Sequence, residues 1–252
     1  MKRKTVFISL FIIIAIALNF IYGNPVSARL AQSSVEKHLA ENHPEYEIKR
    51  QWYDWLNGQY CAEVWIPGSE DCIFDMTLNH FGYIRHSGYE FTVANNFNTF
   101  LRADRMYSQM CDPIIDKFTH ESERPEGVAH TGSFGVGSIL DIGEERLMNP
   151  PFENDKEYTR EEINALGEIY GEIFIYLREL PESDITVENL ADTILQVKNE
   201  FDANNIKFNK ITVQLSGDKS GIYWMYIPYE IINESDILQL TTENSTYDQY
   251  YD

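Results

Sequence analysis

Six histidines, three cysteines, 40 carboxylates and one glycine-rich segment are the residues of this chain with chemistry to offer. Gly132-Ser133-Phe134-Gly135-Val136-Gly137 has the composition of a phosphate loop. Such loops aim backbone N–H groups at the anion and place a lysine or a helix N-terminus behind it. No Lys-Ser or Lys-Thr follows here, and Asp141 and Glu144 repel phosphate, so the segment reads as a flexible loop or a bulged strand. Ser133 and Ser138 lack the Gly-x-Ser-x-Gly frame of a strained nucleophile turn. His38, His43, His80, His86, His120 and His130 form no His-Glu-x-x-His pair; His80 and His86 face each other across a turn at best, with Asp75 nearby. Acidic pairs such as Glu70-Asp71, Glu144-Glu145 and Glu161-Glu162 are expected by chance at this acidity. No calcium loop with alternating oxygen ligands, central Gly and terminal Glu is present. The sequence therefore implies no catalytic residue, no cofactor and no metal.

Cys61, Cys72 and Cys111 make an odd count, so at least one thiol is unpaired within the chain. Cys61 and Cys72 are placed on one hairpin, on one face but diagonally offset. Diagonal neighbours lie about 7–8 Å apart, which is marginal for a disulfide. Buried free thiols are the expectation.

Two aromatic clusters stand out: Trp52, Tyr53 and Trp55, and Tyr223, Trp224, Tyr226 and Tyr229. On a strand only alternate members face one core. Some of each cluster must lie on a second face, and the later cluster is the candidate partner surface for a peptide or glycan.

The elements that position these residues begin with the first 25. Lys2-Arg3-Lys4 precede a run of 17 mostly apolar residues, Val6 to Tyr22, ended by Gly23-Asn24-Pro25. Val6, Phe7, Leu10, Phe11, Ile12, Ile13, Ile14, Ile16, Leu18, Phe20 and Ile21 supply its apolar surface. A spanning helix takes about 20 residues, with 17 at the short end, and the basic residues favour the cytoplasmic side. The run is read as a membrane anchor with the rest of the chain extracytoplasmic. The alternative is a signal peptide cleaved near Ala28, at Val26-Ser27-Ala28. Asn24-Pro25 also reads as a helix cap and first helical residue, which would place that cleavage inside a helix.

The chain carries 20 basic and 40 acidic residues, a net charge of −20. Setting Lys2, Arg3 and Lys4 aside leaves 17 basic against 40 acidic. This excludes nucleic acid and anionic headgroups as broad binding surfaces. Helix is predicted over 25–42. Strands follow at 46–55, 60–66, 72–78 and 83–91, with turns at Asn57-Gly58 and Pro67-Gly68. A long helix at 96–119 carries Pro113 as a kink or break. After an irregular stretch with a short strand at 136–140, Thr159 and Glu162 form a capping box for a helix stopped at Gly167. A strand at 172–177, a helix at 186–201 and strands at 208–215 and 222–227 complete the chain. Asn204-Asn205 ends the helix in a left-handed conformation.

The fold class is thus α+β: a transmembrane helix, then two small antiparallel-sheet domains with covering helices. The expected division is anchor 1–24, first domain 25–120, irregular connection 121–157, second domain 158–240 and acidic disordered tail 241–252.

Several features together resemble the YfjL-like family of membrane-anchored proteins from Bacillus-type bacteria. They are the basic-apolar start, Gly23-Asn24-Pro25, the helix to Glu41-Asn42-His43-Pro44, and the strand from Tyr46-Glu47-Ile48. The second half adds Tyr170-Gly171-Glu172-Ile173, Thr186-Val187-Glu188-Asn189-Leu190-Ala191 and Phe201-Asp202-Ala203. The resemblance covers most of residues 1–230; the stretch 120–156 and the tail depart from it. It implies an anchor, two small α+β domains related to cystatin or PepSY-type modules, and no enzyme activity. The expected role is a membrane-anchored binding or regulatory module whose partner is an envelope protein or peptide. The alternatives are an envelope hydrolase with an unrecognised site and a structural assembly factor.

Overall fold

The computed structural model describes residues 19, 21, 23–118, 120–121, 133–143, 151–178, 187–217 and 221–233. The anchor positions Val6 to Phe20, the Thr186 cap and the tail 241–252 lie outside the described residues. Ile21 is described, helical and half exposed. No helix among the described residues is long and apolar enough to cross a membrane.

The architecture is α+β, with two sheets and several helices. Helix α1 spans Pro25–Asn42. Its cap is as expected: the Asn24 side chain accepts from the Val26 and Ser27 N–H groups, and proline occupies the first turn. Four strands follow, β1 (Glu47–Asp54), β2 (Gln59–Trp65), β3 (Ile73–Leu78) and β4 (Ile84–Ser87). They form an antiparallel meander in sequence order. Alternation sorts their side chains. Tyr60, Ala62 and Val64 of β2, with Phe74, Met76 and Leu78 of β3, face Ala31, Val35 and Leu39 of α1 in one buried cluster. On the other face Glu63 bridges Lys49 and Arg50. The expected strand over 83–91 stops at Ser87, and Glu90–Ala94 forms a π turn closed by the Asn95 N–H on Glu90 C=O.

The three cysteines are free and buried. Cys61 and Cys72 are not on one face. Trp65 pairs with Ile73, so residues 66–72 form the connection, and Cys72 falls in the helix-covered cluster while Cys61 alternates to the other side.

Helix α2 spans Phe97–Ile115 and carries Pro113 in its last turn, ending short of the expected residue 119. The compact units divide inside it. The first holds residues up to Phe100 together with Glu144–Lys156, and the second holds Leu101–Gly143 and Glu157 onward. The boundary thus differs from the expected division at 120. The amphipathic stripe along α2 gave no signal that its two ends serve different cores.

In the second unit the strand order is β5 (His120–Glu121), β6 (Ser133–Leu140), β7 (Gly171–Arg178), β8 (Lys210–Gly217) and β9 (Gly221–Pro228). Three pairings are antiparallel, but β7 and β8 run parallel. The all-antiparallel expectation fails there because helix α4 (Val187–Ala203) is a crossover that returns the chain to the starting end of β7. Ile173 and Ile175, Ile211 and Val213, and Met225 and Ile227 are buried, as are Ala191, Ile194, Val197 and Phe201 of α4.

Helix α3 (Arg160–Tyr170) starts at the expected capping box, with Thr159 and Glu162 bonded reciprocally. It does not stop at Gly167. A Cβ there would lie 2.5 Å from the Lys207 carbonyl oxygen and from the Tyr107 ring, so this glycine permits close packing. Gly167→Ala gains about 1 kcal/mol of helix propensity but overpacks against a fixed backbone oxygen at a cost of roughly 1–3 kcal/mol. The clash should win, and the variant's thermal unfolding midpoint should fall. A raised midpoint in a circular dichroism melt would show that the contact yields freely.

Candidate functional site

From Ser133 on, the glycine-rich segment is part of a regular strand rather than a loop. Gly135 and Gly137 pair with Tyr176 and Phe174 in an unbroken β6–β7 register. The histidines are dispersed. His43 lies against Tyr46, Phe74 and Tyr89, and its pKa is lowered by burial and then by His38. His80 packs on Tyr53 and Tyr60, whereas His86 is exposed opposite Thr77. Among the described residues no three His, Cys, Asp or Glu side chains converge to hold a metal. The His130 and Glu144-Glu145 positions lie outside the described residues.

One polar cluster has the types of a nucleophilic site. Cys72 Sγ donates to Asp155 Oδ2 at 3.3 Å, and Ser69 Oγ donates to Asp155 Oδ1 at 2.6 Å. Thr99 Oγ1 and the Asp155 N–H donate to the buried Asp71 carboxylate. Burial pushes the Cys72 thiol up, the opposite of what a thiolate nucleophile requires. Burial also raises Cys61, and it pushes Cys111 up to about 12. The cluster ties residues 154–155 to the start of β3, which is a structural task. A groove of about 540 Å³ between α1 and β1 is lined by Gln32, Glu36, Leu39, Tyr46 and Ile48 among others. None of its lining residues is a serine, cysteine or histidine.

The face of the second sheet opposite the buried isoleucines carries a different constellation. Alternation brings Glu172 of β7, Lys210 and Thr212 of β8 and Tyr226 of β9 to one side, through the pairs Glu172–Lys210 and Thr212–Tyr226. Lys210 Nζ lies 2.7 Å from Asp141 Oδ2 and 3.0 Å from Glu172 Oε2. Thr212 Oγ1 donates to Glu172 Oε1, and the Tyr226 ring lies 5.7 Å from Lys210 Nζ. Burial raises the Glu172 carboxyl. Burial also opposes ionisation of Asp141, but the Lys210 and Gly143 hydrogen bonds outweigh it and hold that carboxyl low. Sequence reasoning missed this network, since 69 residues separate Asp141 from Lys210. The one visible signal was a charged residue opening each of two apolar strands.

The four residues of the expected partner surface do not form one patch. Tyr226 is 54% exposed on the open face. Tyr229 sits in a short turn after β9, donating to Asp202 and stacked by Lys198. Tyr223 and Trp224 occupy strand positions whose side chains are outside the described ones. What β9 does offer is an edge. Among the described residues it ends the strand order; it pairs with β8 without a register break and contains no charged residue between Gly221 and Pro228.

Against known proteins, residues 2–98 match the family model of the YfjL-like N-terminal domain. This stretch is similar to the YfjL-like N-terminal domain. The match takes in the apolar start, α1 and the whole first sheet, and it ends in the first turn of α2. The resemblance drawn from Gly23-Asn24-Pro25 and Tyr46-Glu47-Ile48 therefore holds over the YfjL-like part of the chain. No curated protein and no solved structure matches the chain.

Lys210 neutralises a buried carboxylate, so Lys210→Met should destabilise the protein by about 2 kcal/mol, between exposed and buried ion-pair values. Adding Glu172→Gln should recover more than half of that loss in urea denaturation. The Glu172 pKa is raised in the fold, so its own contribution is full at low pH and declines as pH rises above its ordinary value of 4.5. Glu172→Gln should remove that component between pH 4 and pH 7. An equal Lys210→Met loss with and without Glu172→Gln would show that the two do not interact.

Proposed function

We propose that this protein is a membrane-anchored, extracytoplasmic binding or regulatory module without catalytic activity. It captures an extended segment of another envelope protein by strand addition to β9. The observation that carries the reading is the β9 edge: eight residues, regular register, no charge, and a half-exposed Tyr226 within it. Exposed edges are normally blunted by lysine, bulges or shortness. The other edge of this sheet, β5, is two residues long. The β1 edge of the first sheet carries a register break beside Lys49 and Arg50. An edge that no strand pairs with among the described residues suits β-augmentation, in which main-chain bonds supply affinity and alternate side chains supply specificity.

The anchor reading draws support from Lys2-Arg3-Lys4 and the apolar run to Tyr22. Cleavage near Ala28 would cut the first turn of α1, whose cap is bonded to the sheet. The helix on a four-stranded antiparallel sheet in the first unit supports kinship with cystatin or PepSY-type modules.

A photo-crosslinking residue at position 226 in intact cells should give one recurrent envelope adduct, absent when the crosslinker replaces exposed Phe91 of the first unit. Tyr226→Ala should weaken binding of the crosslinked segment, prepared as a peptide, by about tenfold. The β9 amides should exchange more slowly in the complex. Unchanged affinity in a folded Tyr226→Ala variant, or adducts only from Phe91, would remove the reading.

A further inference from the structure

The first unit has two unlike ends. The β1–β2 turn at 55–58 and the β3–β4 turn at 79–83 lie at one end of the meander, and residues 66–72 lie at the other. His80 confirms the placement, since its ring lies 5.8 Å from both Tyr53 and Tyr60 in the last rows of β1 and the first of β2. The start of α1 is at the same end. The Asn24 N–H donates to Tyr60 Oη at 2.7 Å, and that hydroxyl donates to the Asn24 carbonyl at 2.9 Å. Gly82 lies so close to the Leu30 carbonyl that a Cβ would approach it to 2.8 Å.

This end is apolar. Among the described residues the first unit exposes ten large hydrophobic side chains, and all but Trp52 and Phe91 are here. The two turns present Trp55 at 51% exposure, Leu56 at 75%, Phe81 at 74% and Tyr83 at 71%, and Val26 joins them from the first turn of α1. These tips have no place in the core. The acidic residue nearest them, Asp54, is occupied by the turn itself, accepting from the Leu56 and Asn57 N–H groups and from Asn57 Nδ2. Exposed Arg29 and Arg85 are nearby in sequence, whereas Glu41, Glu45, Glu47 and Glu70 are exposed toward the other end.

Chain length decides what these side chains meet. Only Gly23 and Asn24 separate Tyr22, the last residue of the apolar run, from Pro25 of α1. That tether reaches about 11 Å at full extension. The polar layer of a bilayer is only about 5–7 Å thick on each side. We infer that the Trp55-Leu56 and Phe81-Tyr83 turns insert into the outer lipid–water interface and seat the first domain on the membrane end-on. Trp and Tyr favour this layer because their rings pair an apolar body with a polar tip. The acidic end then faces away from lipid. The inference rests on the anchor reading of Val6–Tyr22 and adds a second, peripheral attachment.

The test uses the full chain reconstituted in phosphatidylethanolamine–phosphatidylglycerol vesicles, with nitroxides placed singly at Leu56→Cys, Phe81→Cys, Glu70→Cys and Ile14→Cys. The native cysteines are buried, so labelling goes to the introduced sites. Collision with oxygen relative to a water-soluble nickel complex should be several-fold higher at Leu56 and Phe81 than at Glu70, and highest at Ile14. A lipid-exposed Ile14 label with water-accessible turn labels overturns the seating and leaves the anchor standing. A water-accessible Ile14 label overturns both. Turn labels shielded from both reagents would mean a protein contact and overturn the seating as well. A Trp55→Ser, Phe81→Ser chain should keep its thermal midpoint, since both side chains are exposed, while the Leu56 label returns to water.

Discussion

One phenolic hydroxyl sets the frame of the first domain. Tyr60 is 1% exposed, and its oxygen accepts from the Asn24 N–H while its proton goes to the Asn24 carbonyl. That residue is also the N-cap of α1. Each bond contributes about 1 kcal/mol net, but the geometric effect is larger. The pair fixes where the helix begins on the sheet, and so which helix turn meets which strand row. Ala31, Val35 and Leu39 then fall on β2 and β3 without slippage. The same contact holds the chain at Asn24, so the start of α1 and the register of the core share one cause.

Among the described residues each sheet turns an apolar face to its core, and the opposite faces differ. In the first, Glu63 between Lys49 and Arg50 keeps the face polar, and apolar exposure is displaced to the turns. In the second, charge is drawn inward. Glu172 is buried, which raises its pKa, while Lys210 spans it and Asp141. This leaves Tyr226 and an uncharged edge at the border of the sheet. Among the described residues the first domain thus concentrates its exposed apolar side chains on turns, whereas the second spreads them over Leu101, Ile139, Ile169, Tyr176 and Tyr226.

Legibility followed the range of the interactions. Asn24-Pro25, the Thr159–Glu162 box and the left-handed Asn205 (φ 53°) were readable because caps act over three residues. The hairpins around Asn57-Gly58 and Pro67-Gly68 were readable for the same reason. Four features were not. The glycine-rich β6 has weak strand propensity, and its conformation depends on pairing with β7. Gly167 reads as a helix stop unless Tyr107 and the Lys207 carbonyl are seen against it. The faces of Cys61 and Cys72 turned on the length of the 66–72 connection. The Asp141–Glu172–Lys210 network depends on a register that only the folded sheet reveals. The likeness of residues 2–98 to the YfjL-like N-terminal domain was legible from punctuation alone, which is also why it carried no site residues.

The parallel pairing of β7 with β8 carries a kinetic consequence. The first sheet is a meander of hairpins, each closed over a few residues. The second cannot seal β7 onto β8 until the chain from Arg178 to Lys210 has laid down α4. Loop-closure entropy makes such non-local closure slow, whereas the β8–β9 hairpin forms locally. The second domain should therefore order later than the first in a refolding time course. In that interval β8 and β9 exist as a ribbon with two free edges instead of one, and the chain is at its stickiest as it emerges.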